Sequence, residues 1–371
     1  MQQDPAQTSG FTVVKSNPRD LLSQAKNVWL DLQQRAPHSF FNSWGWMECW
    51  LQCLPPRLPV WLVVKQSVQG PVACWFLGIR SGVERKLVFK RRAFLNATGH
   101  EVYDDLTIEY NAPLCLADEN PLGELLSQAP FQPVEELRIS LMPEAAYRRL
   151  QVPQGWAVSQ VTPVASHYVD LMAIRAQGQS YLDVLSRNRR GQIRQSMKLY
   201  TDSGSLRLEE AATTGQALDM LTELAQIHQR DWQQRGKEGA FHSGFSRDFH
   251  RRLVESRFEH GEIQLLKISN SQGPLGYLYN FVYGNQVLFY QSGLFFQSDN
   301  RFRPGMVCHA MAIEHNLAQN RQNYNFLAGE GRYKVGLSTS RDMLYSVVIA
   351  RDNLKWRLEN WLAGHFGRTS R

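Results

Sequence analysis

The segment VLFYQSGLFFQSDNRFRPGMVCHAMAIEHNLAQNRQNYNFLAGEGRYK, from Val287 to Lys334, gathers the side chains best suited to chemistry. It reads as a strand, a short loop, a helix and a second strand. Arg301 and Arg303 stand just before Pro304, Gly305 and Met306, where apolar residues begin to recur at helical spacing. The first turn of a helix has N–H groups without carbonyl partners and carries the positive end of the helix dipole. Two guanidinium groups beside it would make a seat for a phosphate or pyrophosphate. The same residues also allow a plain loop, with proline in the first turn and glycine relieving the backbone.

The elements that must position this seat follow from periodicity. Leu221, Leu224 and His228 share one face of a helix over Ala217–His228. Phe245, Phe249 and Leu253 mark a second helix, with Ser246 as its N-cap. Strands are expected over Glu262–Ile268, Leu275–Tyr283 and Gln286–Phe295, the last two joined by a Gly-Asn hairpin signal. Met306, Ala310, Ile313 and Leu317 then form a helical stripe, and Tyr324–Leu327 a short strand. The first half repeats the order: helices near Leu21–Gln34 and Trp44–Leu54, strands over Val60–Lys65, Val72–Ile79 and Lys86–Leu95, a helix near Leu122–Gln128 and a strand over Glu136–Leu141. This order, without any residue-level repeat, predicts two related α/β units.

A chain of 371 residues that is 43% hydrophobic can bury a sizeable core. The net charge is +7, and residues 301–371 hold 11 Lys/Arg against 5 Asp/Glu, so the last fifth carries most of the excess. Cysteines at 49, 53, 74, 115 and 308 form no paired spacing, and the start MQQDPAQTSG lacks the basic and apolar regions of a signal peptide. A cytoplasmic protein is expected. VWLVV and VACWFLGI are far shorter than the roughly 20 residues that span a bilayer. No GxSxG, GxxxxGK[ST] or GxGxxG motif is present, and neither Cys49/Cys53 nor His309/His315 has zinc-site spacing, so no metal is expected.

Between the halves, SYLDVLSRNRRGQIRQSMKLY begins at Ser180, which with Asp183 has the spacing of a capping box. Arg187, Arg190, Arg194 and Lys198 make a basic stripe. It fits either a solvated helix face or a groove for a phosphorylated ligand or an RNA backbone.

In one respect the chain resembles a known family. FFNSWGWMECW near Phe40, LSRNRRGQIRQSMK from Leu185, FHRRL from Phe249, GYLYNFVYGNQVLFYQSG from Gly276, RPGMVCHAMAIEH from Arg303 and YNFLAGEGRYK from Tyr324 resemble, in this order, the FemAB-like, cellulose-biosynthesis acetyltransferase group of the GNAT superfamily, the BioF2-like acetyltransferase domain. The resemblance covers roughly residues 38–335. It implies a mixed, mainly antiparallel sheet flanked by helices, with two GNAT-like units in tandem. These would be 1–165 on the scaffold or acceptor side and 166–371 as the acyltransferase. The family's cofactor pattern, Arg/Gln-x-x-Gly-x-Gly/Ala, survives only as Arg303-Pro-Gly.

The implied reaction is transfer of an acyl group from acyl-CoA to an amine, on a sugar or other small acceptor in polysaccharide or envelope synthesis. Arg301, Arg303, Pro304, Gly305, Met306 and Ser292 would hold the cosubstrate, and Arg332 and Lys334 phosphate or an anionic acceptor. Glu330 would be the general base, Tyr333 the acid for the thiolate, and Tyr290, sharing a strand face with Ser292, an acid or substrate contact. The second reading is a Fem-type transferase using aminoacyl-tRNA; no inserted helical arm is present to support it. The third is a non-catalytic GNAT-like scaffold. DNA is not an expected partner. The first half has no counterpart of the Arg303 turn: its loop Asn96–Glu109 contains GHEVYDDL, which would repel pyrophosphate and attract an aminated acceptor.

Overall fold

The computed structural model describes residues 10–84, 88–117, 119–128, 134–329 and 331–353. Glu330 lies outside the described residues. The chain divides into two compact units: one holds the residues up to Pro163 and those from Leu344, the other Val164–Met343.

The first unit opens with β1 (Gly10–Ser16), α1 (Pro18–Arg35), α2 (Trp44–Cys53), β2 (Val60–Ser67), β3 (Gly70–Glu84) and β4 (Val88–Leu95). There follow α3 (Glu101–Asp104), β5 (Leu114–Cys115), α4 (Pro121–Leu126), β6 (Glu136–Pro143), α5 (Glu144–Arg149) and the start of β7 (Trp156–Asp170). Asn17 caps α1 by accepting from the Asp20 N–H at 3.0 Å, and Leu21, Ala25, Trp29 and Leu32 fall on its one buried face. Trp29 stacks on Phe76 of β3 at 4.9 Å between ring centroids. Trp44, Trp46 and Trp50 are buried, so the aromatic helix serves the core. The strand order is β1-β2-β3-β4-β6, continued by β13 (Ser340–Arg351).

The second unit contains the end of β7, α6 (Leu171–Ala176), α7 (Tyr181–Val184), α8 (Arg187–Thr201), β8 (Arg207–Glu210), α9 (Thr214–Gln234) and α10 (Gly244–Arg257). Then come β9 (Ile263–Asn270), β10 (Gly273–Tyr283), β11 (Gln286–Leu294), α11 (Pro304–Ala318), β12 (Asn323–Ala328) and α12 (Arg332–Leu337). Its strand order is β7-β12-β11-β10-β9-β8, with β9, β10 and β11 an antiparallel meander. Gly284 and Asn285 turn the hairpin with φ of 53° and 62°, the left-handed pair that a two-residue turn requires. The Ser180/Asp183 capping box forms at α7. α10 begins a turn earlier than expected: Ser243 is the cap, and Ser246 is a buried first-turn residue whose N–H donates to Ser243 Oγ at 3.0 Å. The sheet is thus mainly antiparallel with helices on its faces, the expected mixed α/β class. No helix among the described residues is long and apolar enough to cross a membrane.

His250 on α10 is 1% exposed, and neither ring nitrogen has a hydrogen-bond partner among the described residues. Phe249, Phe241, Tyr279 and Tyr290 surround it with centroids 5.0–5.6 Å away. Burial drives its pKa down to about 3, so the folded state holds it neutral while the unfolded chain protonates it near pH 6.5. The unfolded state therefore binds more protons between these values, and stability falls as pH falls below about 6.5. His250→Leu should flatten this fall, becoming about 2 kcal/mol less acid-sensitive between pH 7 and 5 in urea titrations. Parallel stability curves for the two proteins would refute the neutral, unpartnered imidazole.

Candidate functional site

β11 and β12 run parallel over three rungs, Gln286↔Asn323, Val287↔Tyr324 and Leu288↔Asn325, and then part. On β11 the cause is a bulge. Asn280 pairs with Phe289 but Tyr279 with Gln291, so Tyr290 is an extra residue without a cross-strand partner. On β12 the pairing with β7 is broken between Asn325 and Ala328, and Leu327 takes a left-handed φ of 62°. Asn325 Oδ1 accepts from the Leu327 N–H at 2.7 Å, and Lys334 Nζ donates to the carbonyls of Leu327 (3.2 Å) and Ala328 (2.6 Å). The strain of that conformation is therefore held from both sides.

The bulge corrects one expectation. Ser292 lies opposite Leu278, which belongs to the core under α11, whereas the Tyr290 ring meets His250 of α10 at 5.0 Å and Phe281 at 4.9 Å. An extra residue reverses strand parity, so Tyr290 and Ser292 occupy opposite faces. A Cβ on Gly293 would sit 2.6 Å from the Leu224 carbonyl oxygen, so only glycine lets α9 approach this edge.

At the start of α11, Arg303 is the N-cap and Pro304 opens the first turn. Met306 N–H (3.0 Å) and Val307 N–H (3.2 Å) both donate to the Arg303 carbonyl. That leaves the Gly305 N–H as the helix amide able to face a ligand, a narrower seat than a full free turn. The Arg303 N–H donates to the buried Ser196 Oγ of α8 at 2.9 Å, fixing the turn against that helix. Arg301 is not equivalent to Arg303. It donates to both Asp299 oxygens (2.7–3.1 Å), which holds that carboxyl below its usual range and spends much of the arginine's charge. Among the described residues Arg303 Nη1 donates to the Arg301 carbonyl alone, at 3.2 Å.

A residue outside the expected stripe stands at the same place. Arg189 of α8 lies 3.7 Å from Met306 Sδ, and a Cβ on Gly336 of α12 would collide with its guanidinium at 2.1 Å. Neither Arg189 nor Arg303 has an ion-pair partner among the described residues. Of the stripe itself, Arg187, Arg194 and Lys198 are exposed, and Arg190 is 3.7 Å from Asp183.

Beyond β12, Lys334 is committed to the strand carbonyls, and Arg332 is exposed. Tyr181 Oη donates to the Leu337 carbonyl at 2.7 Å, pinning the end of α12. Tyr333 is 39% exposed, yet its surroundings push its phenol up to about 12, so it stays protonated at neutral pH. It stacks on His309 of α11 at 5.9 Å with planes 14° apart. His309, buried and driven down to about 3 by desolvation, is neutral and shares a 3.0 Å hydrogen bond with Tyr324 Oη. Its role here escaped the sequence, where it drew notice only as half of an unsuitable metal pair.

The acetyltransferase (GNAT) domain model matches residues 187–335, from the first residue of α8 into α12. No curated protein matches the sequence. Among solved structures, FemX superposes with a TM-score of 0.53 at 9% identity, over 86% of this chain and 95% of that one. The C-terminal DUF2156 domain of a protein assigned as lysylphosphatidylglycerol synthetase from Agrobacterium fabrum gives 0.52 at 10% identity, over 93% and 95%. A conserved protein from Bacteroides thetaiotaomicron VPI-5482 gives 0.52 at 10%, over 93% and 100%. At these identities the likeness is one of fold, and it is residues 187–335 that match the acetyltransferase (GNAT) domain model.

Proposed function

We propose that the second unit is an N-acyltransferase that moves an acyl group from acyl-CoA to an amine on a small acceptor, in the FemAB-like manner and in polysaccharide or envelope synthesis. The carrying observation is the parting of β11 and β12 after three rungs, beside a helix that begins at Arg303, Pro304 and Gly305. An extended thioester arm fits a gap between strands, where unpaired backbone groups can take its amides. The fit of the diphosphate rests on Arg303, Arg189 and the Gly305 N–H, with Arg301 contributing less because of Asp299.

In the reaction the acceptor nitrogen adds to the thioester carbonyl and the thiol leaves. Glu330 takes the proton of the amine. Tyr333, protonated at neutral pH and without a hydrogen-bond partner among the described residues, supplies a proton to the departing sulfur. Met306 and Ser292 line the donor side, Arg332 meets an anionic part of the acceptor, and Tyr290 shapes the strand from behind. Lys334 acts through the Leu327 and Ala328 carbonyls that it holds.

Arg303→Ala should weaken CoA binding by about 1–3 kcal/mol in calorimetric titration, and Arg189→Ala should do so by a similar amount. Unchanged affinity in both variants would remove the diphosphate from this helix end. A steep salt dependence of charged-tRNA binding, with aminoacyl transfer and no response to acyl-CoA, would instead favour the tRNA-dependent reaction.

Glu330→Gln should lower turnover by about 10²–10⁴-fold, with CoA affinity nearly unchanged, in a thiol-release assay across a panel of amines. Tyr333→Phe should likewise cost turnover more than binding. Full activity of both variants would return this turn to a surface role.

A further inference from the structure

The first unit repeats the parting of strands. β4 and β6 are parallel over Arg92↔Glu136, Ala93↔Leu137 and Phe94↔Arg138, again three rungs, and then separate. The space between them is a cavity of about 410 Å³, and every residue lining it belongs to this unit. Its volume suits a molecule of sugar size. Trp50, Phe94 and Leu106 supply apolar wall, while Ser140, Thr162 and Ser346 supply neutral hydroxyl groups.

What differs is the charge where the second unit has its arginine turn. Here β4 is followed by Thr98 and Gly99, whose N–H groups both donate to the Asp104 carboxylate, at 2.7 and 2.6 Å. Thr98 Oγ1 adds a third bond at 2.8 Å. The protein's own anion thus fills the position that a phosphate would need, and α3 places Glu101 beside it. Arg138, the cation on the lining, has Nε and Nη2 on Glu136 at 3.3 and 3.1 Å. A carboxylate with three donors can still accept a fourth, and an ammonium is the donor that its charge favours.

We propose that the gap between β4 and β6 is a second ligand site, which takes a small hydroxylated amine without phosphate, through Asp104 and the hydroxyl-bearing wall. The assignment needs no acyl transfer in the other unit. Calorimetric titration of the full chain with glucosamine, and separately with coenzyme A, tests it. Ser140 is exposed on the gap, and the buried Asn111 Nδ2 that donates to its hydroxyl at 3.4 Å also donates to the Leu95 carbonyl at 3.0 Å, so Ser140→Trp should fill the cavity and leave Asn111 partnered. It should weaken glucosamine binding by about tenfold or more and leave CoA affinity within about twofold. Asp104→Asn should weaken glucosamine by about tenfold as well. Should that variant lose its loop, Ser140→Trp alone decides. Absence of glucosamine binding to the wild type, equal binding to Ser140→Trp, or loss of CoA binding in Ser140→Trp would each overturn the proposal.

Discussion

Backbone N–H and C=O groups must find partners, and a sheet that opens must replace those it gives up. The gap between β11 and β12 rests on that exchange. β12 is resupplied at once: Asn325 takes the Leu327 N–H, Lys334 takes two carbonyls, and Gly329 N–H reaches the Ala165 carbonyl at 3.1 Å. β11 keeps its bonds to β10 through the bulge at Tyr290, but its other edge gains no strand partner beyond Leu288. One side of the opening is therefore sealed by the strand's own neighbours, while on the other the Ser292 carbonyl accepts from His228 Nδ1 at 2.9 Å. Lys334, which by type looks like an anion binder, is needed for the sealing.

Much of this arrangement was legible because it is written in short-range pattern. The apolar spacing of Met306, Ala310 and Ile313, the proline at the first turn and the Gly284-Asn285 pair each specify local geometry with little help from distant residues. Features made by long-range pairing were not legible. Nothing in the sequence YQS marks Tyr290 as a bulge, since the extra residue is defined by what β10 presents across the ladder. Arg189 sits off the basic stripe on its own helix and matters only because Met306 and Gly336 come to it. Ser243 and Ser246 are both acceptable caps in isolation, and in the fold Ser243 is the cap while Ser246 is buried in the first turn. β13 was missed altogether: its partner β6 is about two hundred residues away in sequence.

The two units show how one backbone device can carry opposite chemistry. Both open a parallel pair after three rungs. In one, a proline-led helix of fifteen residues follows and keeps an arginine at its cap. In the other, a four-residue helix follows, and an aspartate turns back onto the loop amides. A helix dipole and free guanidinium favour an anion; a carboxylate already holding those amides disfavours one. Element order alone could reveal the repetition but not this inversion of sign.

The paths of β7 and β13 have a consequence for biogenesis. The chain leaves the first unit within β7, at Pro163, and re-enters it within β13, at Leu344. During synthesis the second unit therefore emerges whole while the first still lacks the strand that pairs with β6 through Leu344↔Pro143 and Ala350↔Glu136. Until then β6 presents an unpaired edge, the kind of surface on which nascent chains associate wrongly. The unit that comes first in the sequence is thus the one whose last strand comes after its neighbour.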